Sequence, residues 1–385
     1  MKKIIIIFLI LILCGCNKNY PNTIIKLNEN LNIEYANKIY LYDLFTITNG
    51  TIITENYLID TSYLGKKQIT FDYKNSNNKK KKYSFEINIV DTTPPLILSE
   101  STYTIEKGET FDIKNKPLCG DNYDKNITCI IKGNYNTNKV SNYNLKFIAK
   151  DSNNNYSEKD FTLVVKDHID KPIYNPKPKY IKDLTKTYKT NENEIGIDVS
   201  TWQGDIDFKK VKESGIDFVM IRIGYGYNRD NENILDNKFI QNIKNAKYAG
   251  LKVGIYFYSY ARNETEAKNQ ANWVINMLNN EKLDLPIAFD WEDWEEFNSY
   301  NISFTDLNNI AKTFIETIEK KGYDGMLYGS ATYLHRIWNL NDYKIWLAHY
   351  TNKTDYPNKY NMWQLTNSGV VDGIDSFVDI DILYN

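Results

Sequence analysis

The sequence predicts a C-terminal α/β barrel preceded by two small all-β sandwiches. Residues 194–385 alternate short apolar runs with helical patterns, whereas residues 17–167 contain two copies of one strand-rich pattern without a convincing helix. Strand–helix alternation indicates a parallel sheet, TIM-like or flattened, and short strands without helices indicate sandwiches. The 385 residues, 42% hydrophobic and 25% charged, have room for two or three such domains.

The N-terminus has the pattern of an export signal. Lys2 and Lys3 precede the apolar run 4–13, which is too short to cross a bilayer. The following Leu-Cys-Gly-Cys resembles a bacterial lipobox, so we expect residues 1–15 to be removed and Cys16 to become lipidated. Lipid on Cys16 would anchor the chain to the outer face of the cytoplasmic membrane. Plain secretion is the alternative.

An internal repeat organises the two predicted sandwiches, residues 17–92 and 93–167. Seven residues recur under a shift of 76 positions without a gap, and a polar turn precedes an alternating strand in each copy. The matched residues are Phe71, Lys74, Ser76, Asn77, Asn78, Phe85 and Asp91, which fall on Phe147, Lys150, Ser152, Asn153, Asn154, Phe161 and Asp167.

Two cysteines remain in the body of the exported chain. Cys119 and Cys129 are separated by a short loop, and export permits a disulfide, which we expect here. Two free thiols that pack in the core are the alternative. The formal net charge of −2 supplies no basic field, so we expect no nucleic-acid partner.

A proline-containing linker, residues 168–193, leads to the barrel domain at 194–385. Eight strands and four helices are predicted in this domain from apolar runs and from 3.6-residue spacing. The strands are Ile195–Val199, Phe218–Ile223, Val253–Ser259, Pro286–Trp291, Gly325–Tyr328, Lys344–Ala348, Met362–Leu365 and Phe377–Ile382; the helices are Phe208–Ser214, Asp236–Ala249, Glu264–Leu278 and Ser303–Lys321.

Four carboxylates lie on or just after predicted strands. Asp290 and Glu292 follow the apolar run 285–289, while Asp198 lies in the first strand and Asp379 in the last. Alternation along a strand turns Asp290 and Glu292 the same way, and the carboxyl ends of barrel strands form the active site. Burying like charges together costs stability, which favours a functional explanation. By itself, the 290–292 segment fits a solvated acidic loop equally well.

The residue types that are missing narrow the chemistry. The barrel region has no cysteine, two histidines (His335 and His349), and neither a phosphate loop, a dinucleotide glycine motif nor a metalloprotease helix motif. We therefore expect no cofactor and no metal, and carboxylate chemistry such as glycosidic bond cleavage remains. Aromatic faces near strand ends suit sugar rings, although alternation places about half of them in the core. The predicted substrate-binding residues are Trp202, Tyr225, Tyr256, Tyr258, Trp346, Tyr350 and Trp363.

Residues 194–385 resemble glycoside hydrolase family 25, the muramidases related to fungal and phage lysozymes. The resemblance follows seven segments in order: 196–207, 218–224, 250–257, 290–292, 346–350, 363–364 and 373–379. Two positions depart from it, since Asp381 stands where the family often has Asn, and Tyr258 also differs from many members. In the N-terminal half, residues 90–95 and the turns 120–124 and 149–154 resemble bacterial immunoglobulin-like modules of cell-surface proteins.

This resemblance implies cleavage of the β-1,4 bond between N-acetylmuramic acid and N-acetylglucosamine in peptidoglycan. It implies that Glu292 is the general acid and that Asp290 holds the substrate's 2-acetamido group, which acts as an internal nucleophile with retention of configuration. Asp198 and Asp379 would line the pocket and adjust its protonation. We expect a monomer with two partners, peptidoglycan strands and the membrane through Cys16, that remodels the cell's own wall.

Three alternatives remain open at this point. The chain could be a lipoprotein that binds glycan without cutting it, an adhesin whose sandwiches bind a protein, or a hydrolase of chitin. The sequence does not indicate what the immunoglobulin-like domains bind.

Overall fold

A computed structural model of the protein describes residues 20–114, 116–170, 175–226, 232–340 and 343–384. The predicted signal, residues 1–15, and the predicted lipidation site Cys16 lie outside the described residues. The chain divides into two units, one ending at Thr92 and the other beginning at Thr93. No helix in the described part of the chain is long and apolar enough to cross a bilayer.

The first unit is all-β, with one short 3-10 helix at Leu41–Leu44. One sheet has the order β2-β6-β5-β4 and the other pairs β1 with β3. Both contribute to one core, in which the Phe45 and Phe71 rings stack 4.1 Å apart. The strands are β1 (Ile24–Leu27), β2 (Asn32–Glu34), β3 (Phe45–Thr48), β4 (Gly50–Ile52), β5 (Gly65–Asn75) and β6 (Lys80–Val90).

A second β-domain opens the second unit. Its sheets have the orders β10-β11-β12-β8 and β7-β9, and a disulfide joins Cys119 of β9 to Cys129 of β10, with Cα atoms 6.1 Å apart. Buried Phe147 and Phe161 stack 4.0 Å apart in its core. The strands are β7 (Leu96–Leu98), β8 (Thr102–Glu106), β9 (Leu118–Gly120), β10 (Cys129–Lys132), β11 (Ser141–Lys150) and β12 (Tyr156–Lys166).

The predicted repeat is confirmed by the strands themselves. A shift of 76 carries the first residue of β5, Gly65, onto the first residue of β11, Ser141, and both ends of β6 onto both ends of β12. Each domain also contains one parallel pair, β2 with β6 and β8 with β12. The immunoglobulin-like character of the two domains stays a prediction.

The barrel is a closed ring of eight strands in the order β14-β15-β17-β18-β19-β20-β21-β22, with β22 returning to β14. Two short strands lie outside the ring, β13 beside β21 and β16 beside β15. The strands are β13 (Lys179–Tyr180), β14 (Asn193–Val199), β15 (Phe218–Gly226), β16 (Asn233–Leu235), β17 (Lys252–Tyr258), β18 (Ile287–Asp290), β19 (Gly325–Ser330), β20 (Lys344–Ala348), β21 (Met362–Val370) and β22 (Val378–Tyr384).

Helices cover the outside of the ring and pack on its outward-facing residues. The longest begins at a capping box in which the Ser303 hydroxyl accepts from the Asp306 backbone N–H. The helices are α1 (Ile181–Tyr188), α2 (Phe208–Glu213), α3 (Phe239–Tyr248), α4 (Glu264–Leu278), α5 (Phe304–Glu319) and α6 (Ala331–Arg336), with 3-10 helices at Thr201–Gln203 and Trp294–Tyr300.

All eight predicted ring strands and all four predicted helices are present, but the barrel is not a regular TIM barrel. Strand β22 runs antiparallel to both neighbours, β14 and β21. An antiparallel partner needs only a short connection, so no crossover helix lies between β21 and β22.

The predicted linker 168–193 needs a correction. Residues 179–188 form β13 and α1, which belong to the barrel: β13 pairs with β21, and Ile181 and Leu184 of α1 are buried in the outer core. Two apolar residues three apart in an otherwise polar stretch are too weak a periodic signal to predict this helix.

Candidate active site

The structure brings the four predicted carboxylates to one mouth of the barrel. Asp290 is the last residue of β18 and Glu292 lies two residues beyond it, at the carboxyl end of the parallel strands. Asp198 lies near the carboxyl end of β14. Since β22 runs in the opposite direction, its second residue Asp379 is the direct cross-strand partner of Asp198.

Alternation along β18 places Asp290, whereas a tryptophan places Glu292. Phe289 faces the outer core and Ala288 the ring interior, so Asp290 projects inward. The predicted strand continued through Trp291, but β18 ends at Asp290. Trp291 is fully buried against the segment Trp294–Tyr300, so its packing fixes the backbone that carries Glu292.

A glutamine fixes the orientation of Asp198. The Gln364 amide nitrogen Nε2 donates to Asp198 Oδ2 at 2.7 Å. Its oxygen Oε1 accepts from the hydroxyls of Tyr328, at 2.9 Å, and Tyr350, at 3.0 Å. Because Gln364 is buried and bonded at both ends, it cannot rotate without breaking hydrogen bonds, which holds the Asp198 side chain in place.

A fifth carboxylate, Asp381, lies behind these residues and was predicted only as a departure from the family pattern. It is fully buried and accepts a hydrogen bond from Trp346 Nε1 at 2.8 Å. Its strand position offered a signal, because Asp379 and Asp381 are two residues apart on β22 and therefore share a face. Gln364 is its cross-strand partner on β21, which joins Asp381 to the Asp198 network.

Burial and mutual repulsion raise the pKa values of this carboxylate cluster. The pKa of Glu292 rises to about 7, first because of burial and then because of the charge on Asp379. Burial raises the pKa of Asp379 to about 6. The pKa of Asp290 is raised by burial and then by Glu292, while the positive charge on Arg222 opposes this. The mouth therefore holds protons near neutral pH.

Arg222 is placed beside the mouth by a buried partner that the sequence did not reveal. Its guanidinium Nη2 lies 2.8 Å from Oδ2 of Asp236, which is 2% exposed. The same Asp236 oxygen accepts the backbone N–H of Thr201 at 3.0 Å, at the start of the 3-10 turn that carries Trp202. One ion pair thus positions both a cation near Asp290 and an exposed aromatic residue.

The seven predicted substrate-binding aromatics divide into two groups. Trp202 and Tyr350 are 78% and 53% exposed, and Tyr225, Tyr256 and Tyr258 are partly exposed. By contrast, two members of this set are only 1% and 3% exposed, respectively Trp346 and Trp363. Trp346 fills the ring interior and Trp363 the outer core, where its Nε1 donates to the His349 carbonyl. We correct the prediction for these two and assign them to packing and positioning.

The arrangement can donate a proton and accept a hydrogen bond from a ligand. Glu292 can donate the proton, because its pKa is raised to about 7. Asp290 Oδ1 can accept the hydrogen bond, because it is buried and has no hydrogen-bond partner among the described residues. A buried acceptor without a partner is costly unless a ligand satisfies it. A cation held by three carboxylates needs one oxygen from each, all within about 4.8 Å of one another. Among the described residues, no three carboxylates of the mouth meet this condition.

Comparison with known proteins identifies this region. Residues 197–374 match the family described as Glycosyl hydrolases family 25. The autolytic lysozyme of Clostridium acetobutylicum is 29% identical over 189 residues, which cover 48% of this chain and 54% of that protein. Lysozyme M1 of Streptomyces globisporus is 27% identical over 203 residues, covering 48% and 65%. The C-terminal region of this chain is a glycoside hydrolase family 25 domain.

Solved structures include similar chains. The modular autolysin LytC of Streptococcus pneumoniae, solved in complex with a synthetic peptidoglycan ligand, is 30% identical with a TM-score of 0.45, over 51% of this chain and 47% of that one. A family 25 glycosyl hydrolase of Bacillus anthracis is 22% identical with a TM-score of 0.44, over 51% and 92%. This chain therefore spans about half the length of the autolytic lysozyme and about half the length of LytC.

Proposed function

We propose that the barrel domain hydrolyses the β-1,4 bond between N-acetylmuramic acid and N-acetylglucosamine in peptidoglycan. The observation that carries this proposal is the pair formed by Glu292, whose pKa is raised to about 7, and Asp290, whose buried Oδ1 lacks a partner. The glycoside hydrolase family of the domain and its lysozyme relatives support the same substrate class.

Glu292 is the general acid of the proposed reaction. With a pKa of about 7, about half of the Glu292 side chains keep their proton at neutral pH, whereas an unperturbed glutamate would be almost fully ionised. Protonated Glu292 donates its proton to the glycosidic oxygen as the bond from this oxygen to the anomeric carbon breaks, so the leaving sugar departs as a neutral alcohol. Burial raises this pKa most, and the Trp291 packing fixes the backbone that carries Glu292.

Asp290 orients the nucleophile, which the substrate itself supplies. Asp290 acts in its ionised form: Arg222 favours the carboxylate against burial, and Glu292 is protonated and therefore uncharged at this step. The free Oδ1 of Asp290 accepts the N–H of the 2-acetamido group and turns the acetamido oxygen toward the anomeric carbon. That oxygen forms the new bond, which gives an oxazolinium ion. Ionised Glu292 then takes a proton from water, and the water oxygen opens the ring with overall retention. The route differs from the double displacement that uses two enzyme carboxylates.

We further propose that the enzyme works from the outer face of the cytoplasmic membrane on the cell's own wall. The Lys2–Cys16 pattern supports an export signal with a lipid on Cys16. Along the sequence, two β-domains lie between Cys16 and the catalytic domain. The relatives named autolytic lysozyme and autolysin fit a role in remodelling.

The test compares the wild-type chain with Glu292→Gln on purified peptidoglycan. The variant cannot donate the proton, so we expect the release of reducing ends to fall about 100- to 10,000-fold while the fold is retained. Glu213→Gln, which alters an exposed acid at the end of α2, is the matched control and should leave the rate unchanged.

The products separate this proposal from its alternatives. Mass analysis should find muramic acid at the new reducing ends. Reducing N-acetylglucosamine would contradict the muramidase and indicate a glucosaminidase or chitinase. Equal rates for the wild type and Glu292→Gln would contradict the enzyme and leave the glycan-binding or adhesin lipoprotein.

A further inference from the structure

The second β-domain contacts the barrel on the chain segment that follows Glu292. Gly120 of β9 lies so close to this segment that an added Cβ would be 2.4 Å from the Phe304 ring and 3.1 Å from the Phe297 ring. The Phe304 backbone N–H donates to the Asp121 carbonyl at 2.7 Å. A glycine is therefore required here for close approach rather than for a special backbone angle.

Polar contacts continue the same interface. Lys125 Nζ lies 3.1 Å from Asp306 Oδ2, which belongs to the capping box of α5. The Asn126 amide donates to Asn301 Oδ1 at 2.5 Å. The interface therefore combines buried aromatic rings, a backbone hydrogen bond and charged groups, which fixes the β-domain against this side of the barrel.

Beside this interface the two domains enclose a cleft of about 1100 Å³. Ligand clefts commonly measure about 300–1,000 Å³, so a ligand of several residues would fit. Three lysines line the β-domain wall, Lys114, Lys116 and Lys159, together with the acids Glu100 and Asp112. The charged residues of the barrel wall are both acids, Glu295 and Glu296. Trp294 and Tyr333 stack 4.0 Å apart on the barrel wall and add an aromatic surface.

The cleft lies next to the catalytic mouth. Trp294 is two residues after Glu292, and its backbone N–H donates to the Glu292 carbonyl at 2.8 Å. Ser330, which also lines the cleft, ends β19 at the same carboxyl end of the ring that holds Asp290. Burial raises the pKa of the Tyr333 hydroxyl most, and the charge on Glu292 raises it further, so Tyr333 lies near Glu292.

We propose that this cleft binds the peptide stem of the muramic acid adjacent to the cleaved bond. Stem peptides carry carboxylates and, on a diamino acid, an amine. N-acetylglucosamine is uncharged, and the lactyl group of N-acetylmuramic acid has no charge while it forms the amide bond to the stem. Lys114 and Lys116 on one wall match the carboxylates, and Glu295 on the other matches the amine. The inference rests on the proposed muramidase function, and it makes the second β-domain a part of the substrate site.

Kinetics on two substrates test the role of the cleft in catalysis. The full chain is assayed on glycan strands that keep their stems and on the same strands after an amidase has removed them. For the double variant Lys114→Glu/Lys116→Glu we expect KM on stem-bearing strands to rise about tenfold, with kcat retained, and no change on stem-free strands. The matched control is Lys132→Glu/Lys139→Glu, which alters two exposed lysines of the same domain outside the cleft.

Failure of the stem site and failure of the muramidase give different results. If the wild type cuts both substrates with equal KM, or if the double variant weakens both equally, the stem site is wrong while the muramidase stands. If neither substrate is cut, the muramidase is wrong. In that case, calorimetric titration of a soluble stem tetrapeptide into the full chain decides the cleft: saturable binding that the double variant weakens about tenfold supports it, and no binding overturns it.

Discussion

The two ends of the barrel hold acidic residues in opposite ways. At the amino ends of the strands, acids pair with lysines: Glu194 with Lys252, Asp217 with Lys189 and Asp324 with Lys344. At the carboxyl ends, Asp236 pairs with Arg222, but Asp198, Asp290 and Glu292 form no ion pair with any described residue, and their pKa values are raised. Residue type is the same at both ends, so only the surroundings distinguish them.

The difference separates the acids that pair with lysines from the acids that we propose to act in catalysis. An exposed pair with lysine contributes about 0–1 kcal/mol and favours the ionised carboxylate. Buried carboxylates that face one another favour the protonated form and destabilise the fold once they ionise. Keeping several such carboxylates together at one end lowers the stability of the fold. This arrangement is expected where a function needs a bound proton near pH 7.

Among the variants that test the difference between the two ends, Asp290→Asn should have the largest effect on activity. Asparagine keeps the shape but has no charge with which to hold the acetamido N–H, so we expect kcat/KM on peptidoglycan to fall about 100- to 1,000-fold. Reducing-end release measures this. Asp375→Asn, which changes an exposed acid in the β21–β22 connection, is the control. A loss of less than about threefold would show that Asp290 does not act on the substrate.

The same variant should also be more stable than the wild type in alkali. The pKa of Asp290 is higher in the folded chain than in the unfolded chain. Its contribution to stability is therefore present when pH is below its unfolded-state pKa, and this contribution is lost as pH rises through its folded-state pKa. Asparagine does not titrate. The melting temperature of the barrel should therefore exceed that of the wild type by about 2–4 °C at pH 8 and match it at pH 4. Equal melting at pH 8 would contradict the raised pKa.

Replacing Asp379 by Asn should move the pH profile of catalysis. The proposed reaction requires the proton on Glu292, so we expect the rate to fall as pH rises above about 7. Asp379, whose own pKa is about 6, is largely ionised there and contributes to the raised pKa of Glu292. Removing its charge lowers that pKa, which shifts the alkaline limb of kcat/KM to lower pH and reduces the rate at pH 7 about two- to tenfold. If the alkaline limb does not move, burial alone accounts for the raised pKa of Glu292.

Local patterns were enough to predict the framework of this site. Apolar runs located all eight ring strands, and the two-residue alternation explains why Asp290 faces inward while Phe289 faces the outer core. The repeat of 76 likewise predicted equivalent strand pairs, because it recurs without a gap. These features depend on residues close in sequence, or on one pattern copied twice.

Long-range partners could not be predicted in the same way. The bond from Gln364 to Asp198 joins residues 166 positions apart, and the β-domain reaches Phe304 from Gly120 across the intervening sequence. Trp363 was misassigned for a related reason: the alternation of β21 was known, but which face of it lay inside the ring was set by pairing with β20 and β22. Pairing between distant strands is tertiary information that a single sequence does not display.

The smallest effect is expected at the amino end of the barrel. Lys344→Ala removes the cation that pairs with Asp324, whose side chain is 68% exposed, and water can solvate the carboxylate left behind. Unfolding free energy should therefore change by less than about 1 kcal/mol and peptidoglycan cleavage should not change. Denaturant unfolding and the reducing-end assay measure the two quantities, with Lys320→Ala, which alters another exposed lysine near the end of α5, for comparison. A loss above about 2 kcal/mol would mean that the paired acids at this end stabilise the ring more than exposed ion pairs do elsewhere, and the contrast between the two ends would then be one of degree.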